Sequence, residues 1–309
     1  MGALITLVGG ICWGFSGCCG QYLLQEKGCA TEWLVAYRLI LAGIILIEIE
    51  ILRQGRKSFR IFRNKKDVVH LGVFALLGIL FCQYTYFTAI EHSNAGTATI
   101  LQYLAPVIML MLICVRKMRK PNSRELSAII LSLLGTVILG THGKLTELYI
   151  TPEALFWGLA AAVASVCYNM LAGDLIKKYG TFQIAGLGMV FAGIFMCIIV
   201  KPWTYDVTLD WEMVLALVGV IVIGTALGNG AYLLGVSLVG PLKASLLASI
   251  EPVVSVAVSV VWLHTSFVWV DFLGFIMIIS TVFVLSSSRE KATSIDGNIY
   301  GKEMTQIKT

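Results

Sequence analysis

The stretch YFTAIEHSNAGTATILQYLAPV, residues 86–107, returns in altered form as YLLGVSLVGPLKASLLASIEPV, residues 232–253. At one spacing of 146, Tyr86 pairs with Tyr232, Ala98 with Ala244, Leu101 with Leu247, Pro106 with Pro252 and Val107 with Val253. Working outward, AGI at 42–44 recurs at 192–194, and Lys27 and Thr31 recur as Lys177 and Thr181, at a spacing of 150. Thr136-Val137 against Thr281-Val282 carries the match to the end of each copy. Apolar segments resemble one another by chance, so the ordered series, not any one pair, carries the argument for a duplicated chain.

The duplicated segments are apolar all round. With 58% hydrophobic and 13% charged residues and a mean hydropathy of +0.85, the chain holds about half the charge of a soluble domain, so lipid is its expected solvent. At ~20 residues per span of a ~30 Å hydrocarbon core, ten spans are expected, near 3–23, 33–53, 68–90, 96–115, 124–141, 154–173, 180–200, 211–235, 241–263 and 267–288. A β-barrel would alternate polar and apolar in ~10-residue segments, and these runs do not. The expected fold class is an all-α membrane protein, with residues 1–145 and 146–288 as two five-helix repeats and 289–309 as a disordered cytoplasmic tail. Five is odd, so the second copy enters the membrane from the other side, and the repeats are inverted around a central cavity. Inverted repeats suit alternating access.

Net charge, +5, becomes informative once sorted by loop. Alternating sides from a cytoplasmic N-terminus, inner loops and tail hold nineteen of the 23 basic residues, seven of them in RQGRKSFRIFRNKK at 53–66. Lys27, Lys144 and Lys201 fall outside, and Arg38 lies within span two. This bias places both termini in the cytoplasm. Beside two spans, the 53–66 run reads as a topology signal and an anionic-lipid contact, not a nucleic-acid patch. The first span lacks a basic leader region and a cleavage site, so it reads as retained. Eight cysteines lie mostly within spans with no CxxC pair and read as small apolar residues.

Some residues do not suit lipid. Pro106 and Pro252 fall near the middle of their spans, and each leaves the carbonyl four residues earlier, at Gln102 and Ala248, without its helical N–H. Matched midplane interruptions are a pointer to a transporter site; a packing kink without a ligand is the alternative. Glu251 precedes Pro252 near mid-bilayer, where a lone acid costs roughly 2.5–3.5 kcal/mol. It must face a cavity, a proton or a cationic group, the alternative being a structural hydrogen bond to an opposing helix. Arg38 lies about five residues inside span two, near enough to the outer end to snorkel. Polar and aromatic stripes complete the candidate substrate-binding set: Trp13 on span one, Tyr84 and Phe87 on span three, Gln102 and Tyr103 on span four. Tyr168 and Asn169 belong to span six, and Asn229 and Tyr232 to span eight. Such stripes either glue helices together or line a pocket whose rings could hold an aromatic or a cation.

GxxxxGK[ST] and HExxH are both absent, and His70, His92, His142 and His264 lack ligand spacing. The expectation is therefore no enzyme, no metal, no cofactor and no nucleic acid.

The opening GGICWGFSG, the AYRLILAG of span two, and NAGTATILQYLAPV with its counterpart GPLKASLLASIEPV resemble the EamA family of the drug/metabolite transporter superfamily, over residues 3–288. The resemblance implies a basket with a central cavity between spans one to four and six to nine, spans five and ten lying outside. It implies export of amino acids or other metabolites; relatives carry choline-like cations, nucleotide sugars or sugar phosphates. With Arg38 and Lys243 as the only basic candidates, phosphorylated cargo is disfavoured.

The leading expectation is a plasma-membrane secondary transporter, in a bacterial inner membrane, exporting a small zwitterionic or cationic metabolite. Its partners are that small molecule and membrane lipid, and a homodimer is compatible with the pattern. An importer of choline or an aromatic amine is the alternative, and a non-transporting scaffold or receptor-like subunit is the reading from a different class.

Overall fold

The computed structural model describes residues 1–142 and 149–285, apart from the side chains at 54, 56–58, 241, 242 and 245. The tail 289–309 and Lys144 lie outside the described residues. Among those described there is no strand. Within the described residues eight helices are long and apolar enough to cross a membrane: α1 Gly2–Glu26, α3 Lys65–His92, α4 Ala95–Arg116, α5 Ser123–Thr141, α6 Pro152–Tyr179, α7 Thr181–Val200, α8 Trp211–Val239 and α9 Leu246–Leu263. Between α1 and α3 lies α2, Thr31–Gln54, equally long at 24 residues but carrying Glu32, Arg38, Glu48, Glu50 and Arg53. The chain is last described in α10, Trp269–Leu285, apolar but shorter.

The helix ends are built by short polar side chains that take up orphan N–H groups. Asn64, Asn94, Thr151 and Asp210 accept from Lys66, Thr97, Ala154 and Met213 at 3.1, 2.8, 3.2 and 2.8 Å. At α5 the cap is reciprocal: Glu125 N–H donates to Asn122 Oδ1 at 2.9 Å and Asn122 N–H to Glu125 Oε2 at 2.8 Å. Arg119 then grips the same carboxylate with both Nη atoms, at 2.7 and 2.8 Å. A single residue, Gly180 at φ +92°, separates α6 from α7, a left-handed turn open to glycine.

Lipid tails are as apolar as leucine, so helices associate here by close packing of small residues and by hydrogen bonds. A Cβ on Gly43 of α2 would come within 2.9 Å of the Gly186 carbonyl of α7. On α1, a Cβ on Gly9 would lie 2.9 Å from the Tyr232 nitrogen of α8. Gly135 of α5 and Gly274 of α10 face each other, with Cβ-to-carbonyl approaches of 3.0 and 2.9 Å. Hydrogen bonding concentrates at buried Gln21 near the end of α1, whose Oε1 accepts from the Ala95 N–H at 2.9 Å and the Ser259 hydroxyl at 3.2 Å. Its Nε2 donates to Gln25 Oε1 at 3.0 Å and Thr265 Oγ1 at 3.1 Å. One side chain thus joins α1 to α4 and α9 at the end of the bundle where Glu26, Ala95 and Leu263 lie.

Two long helices are interrupted. Helical geometry stops at Gln102 and resumes at Ala105, and it stops at Ala248 and resumes at Glu251, so the two breaks stand 146 residues apart. Bonds to the third residue back bridge each gap: Leu104 N–H to Leu101, and Ile250 N–H to Leu247. Wider turns occur as well: Phe74–Leu80 within α3 and Gly219–Leu227 within α8 are π-helical, a rare winding that recurs at functional sites.

Candidate substrate cavity

A cavity of about 650 Å³ occupies the middle of the bundle. Its walls come from α1 (Trp13, Ser16, Gly17), α2 (Arg38, Leu46), α3 (Cys82, Gln83, Tyr86) and α4 (Gln102, Tyr103, Pro106). The other wall comes from α6 (Ser165, Tyr168, Asn169), α7 (Phe182, Met189), α8 (Thr225, Asn229, Tyr232) and α9 (Ala248, Ser249, Glu251). Helix α10 adds Val282, and no described residue of α5 reaches it. Both helix breaks lie on the wall. Toward one end the cavity reaches Ile176, Thr181, Phe182 and Val236, beside the α6–α7 turn; the Gln21 network lies toward the other.

Among the described lining residues two are charged, and each is held by a neutral group. Arg38 donates from Nη1 to Gln83 Oε1 at 2.8 Å, and its Cζ lies 4.8 Å from the ring centre of Phe87. Glu251 accepts at Oε2 from the Tyr103 hydroxyl at 3.1 Å. Among the described ion pairs none includes Arg38 or Glu251. The remaining polar wall is neutral. Cys82 Sγ lies 3.5 Å from Ser165 Oγ and accepts from Gln102 Nε2 at 3.5 Å. Tyr86 Oη shares a hydrogen bond with Thr99 Oγ1 at 2.9 Å. Aromatic groups pair behind and across these: Trp13 with Tyr232 at 5.0 Å, and Tyr168 with Phe74 at 5.1 Å between centroids.

Of the thirteen residues singled out from sequence, the structure brings Trp13, Arg38, Gln102, Tyr103, Pro106, Tyr168, Asn169, Asn229, Tyr232 and Glu251 onto this one wall. Three stand elsewhere. Tyr84 turns to the other side of α3, donating to Glu32 Oε1 at 3.2 Å and meeting Trp157 edge-on. Phe87 is fully buried behind Arg38, its ring against Gly20. Pro252 is buried beside Glu251 and does not line the cavity. Arg38 does not snorkel: it sits two turns into α2, on the wall. Lys243 is exposed and away from the cavity. Gln83, Cys82 and Ser249 were not among the thirteen; an arginine at this depth, which needs an acceptor, was the signal that could have found Gln83.

An all-helical, multi-pass membrane protein with a polar cavity at its centre is the class that fold and site define. The chain belongs to the EamA-like transporter family, matched over residues 1–141 and 153–287, and it is a membrane transporter. It is 37% identical over 292 residues to an uncharacterized inner membrane transporter, YicL, of Salmonella typhimurium, covering 94% of this chain and 97% of that one. An uncharacterized transporter of Clostridium kluyveri is 24% identical over 283 residues, covering 88% and 89% of the two chains. One crystal structure superposes with a TM-score of 0.61 at 17% identity, covering 94% of this chain and 98% of the other; at that identity the likeness concerns the fold.

Proposed function

We propose that this protein is a secondary transporter of the bacterial inner membrane that moves a small zwitterionic metabolite, an amino acid or a near relative, by alternating access, with export the preferred direction. The observation that carries the reading is the pairing of one cation, Arg38, and one anion, Glu251, on the wall of a single cavity bounded by two broken helices. A zwitterion complements that pair, leaving no net charge in a low-dielectric site, where unmatched charge is costly. A volume of about 650 Å³ suits a small molecule.

The ten helices are read as ten spans in two inverted five-helix halves, both termini in the cytoplasm. Three features support this: helix breaks at one spacing of 146, π-wound turns at Phe74–Leu80 and Gly219–Leu227, and family matches on both sides of residues 142–152. The relative named as an inner membrane transporter supports the location. With that topology the cavity leans toward the cytoplasm and the Gln21 network closes the outer end. Helices α4 and α9 would then rock about their breaks as access alternates.

The aromatic wall and Glu251 alone would suit a quaternary amine such as choline, and Arg38 in the same cavity argues against it. Purified protein in liposomes, assayed for counterflow of amino acids, choline and aromatic amines, decides between them. Amino-acid counterflow is the expected result; choline flux with none of any amino acid would overturn the assignment.

A further inference from the structure

The cavity's arginine is unusual in what holds it. A buried guanidinium is ordinarily matched by a carboxylate, since an unpaired charge in a poorly solvated site is costly. Here Arg38 has an amide acceptor, Gln83 Oε1 at 2.8 Å, and an aromatic face, Phe87 at 4.8 Å. Neither carries a charge. A guanidinium has five N–H donors in a planar fork that fits a carboxylate bidentately, and the bond to Gln83 occupies one of its nitrogens. Phe87, fully buried and backed by Gly20, gives the plane a fixed floor. Glu251 shares the cavity without an ion pair to Arg38 among the described residues, itself held by a phenol.

We propose that Gln83 is the charge selector of this cavity: as a neutral positioning residue it orients Arg38 while leaving the guanidinium's charge for the carboxylate of the cargo. The assignment rests on the reading of the cavity as a transport site for a zwitterion. Had position 83 carried glutamate, an isosteric side chain, Arg38 would be neutralised from within the protein, and Glu251 would remain the uncompensated charge. The selectivity of the cavity would then turn from zwitterions to cations.

The experiment measures equilibrium binding to purified protein of a panel of small, aliphatic and aromatic amino acids, each beside the amine left when its carboxyl group is removed. Binding avoids the membrane leak of free amines. For the tightest-binding pair, wild type should favour the amino acid at least tenfold; Gln83→Glu should bring that ratio to one or below while amine affinity holds or rises. Gln83→Asn, neutral and shorter, should weaken the amino acid yet keep it ahead. Thermal unfolding of each variant verifies folding. If Gln83→Glu weakens both members of the pair equally, Gln83 is a packing residue and the assignment fails while the transport reading stands. Wild type favouring the amine would overturn both.

Discussion

The hydroxyl of Tyr103 lies 3.1 Å from Glu251 Oε2 and 3.4 Å from the carbonyl oxygen of Ala248. That carbonyl is the one Pro252 leaves without its helical N–H. Tyr103 itself stands in the break of α4, and Glu251 and Ala248 flank the break of α9, so a single phenol spans both interruptions. The distance to Glu251 suits a hydrogen bond; the approach to Ala248 is long. Tyr103→Phe keeps the ring and removes the bridge, and should lower stability in detergent by about 1 kcal/mol, the net worth of such a bond. Counterflow should fall further than this loss accounts for, because the two breaks are uncoupled. Comparing thermal unfolding with single-turnover flux checks it; wild-type flux would remove Tyr103 from the coupling.

Glu251 supplies the cavity's negative charge. Glu251→Gln preserves shape and the acceptor for Tyr103 but removes that charge, so affinity for a zwitterion should drop about tenfold or more, equivalent to ~1.4 kcal/mol. Proteoliposome counterflow across a pH series is the measurement. Full transport with an unchanged pH profile would make Glu251 a structural hydrogen-bond acceptor.

The long apolar runs made the helices legible, and the two prolines located both interruptions, because each breaks a local rule that needs no tertiary knowledge. Which side chains face inward on α3 was not legible. Seven residues from Phe74 to Leu80 are π-helical, and each such turn takes up an extra residue, rotating the rest of the helix relative to a 3.6-residue stripe. Gln83 and Tyr86 therefore reach the cavity while Tyr84 and Phe87 do not. What holds Arg38 was not legible either: five charges in α2 invite an interfacial reading, and only the acceptor on α3 and the ring beneath it reveal how this one is kept on the cavity wall.

Gly135 and Gly274 set the α5–α10 crossing. A Cβ at Gly135 would meet Ile278 Cγ1 at 2.8 Å, the Gly274 carbonyl at 3.0 Å and Met277 Cβ at 3.2 Å, and backbone cannot yield as a side-chain tip can. Gly135→Ala should therefore destabilise by about 1–3 kcal/mol, the usual cost of overpacking, with Gly274→Val worse. Because α5 lines none of the cavity in the described residues, ligand affinity measured well below the unfolding temperature should stay within about twofold. A large loss of affinity in a stable Gly135→Ala protein would show that this crossing shapes the site.

Lys27, between α1 and α2, donates to Asp210 Oδ2 at 2.6 Å and Glu212 Oε2 at 2.7 Å, tying the end of α1 to the start of α8. The hydrogen bond from Lys27, then that from the Met213 N–H, hold the Asp210 carboxyl below the usual aspartate range, and hydrogen bonds to Asp210 and Glu212 raise the Lys27 ammonium. The lowered acid contributes stability above its unfolded pKa, near 3.9, and loses it as pH falls through the still lower folded value. The raised ammonium contributes below its unfolded pKa, near 10.4, and loses it only as pH rises through the folded one. The tie therefore holds across neutral pH and is released in acid. Wild type should lose thermal stability between about pH 5 and 3, and Lys27→Met should flatten that limb by being the less stable protein at neutral pH and converging on wild type in acid. Salt near 1 M, where screening acts within ~3 Å, should shrink the difference, since Lys27 and Asp210 face water. An acid limb identical in both proteins would assign it to other carboxylates, and the α1–α8 tie would then carry no share of the pH dependence.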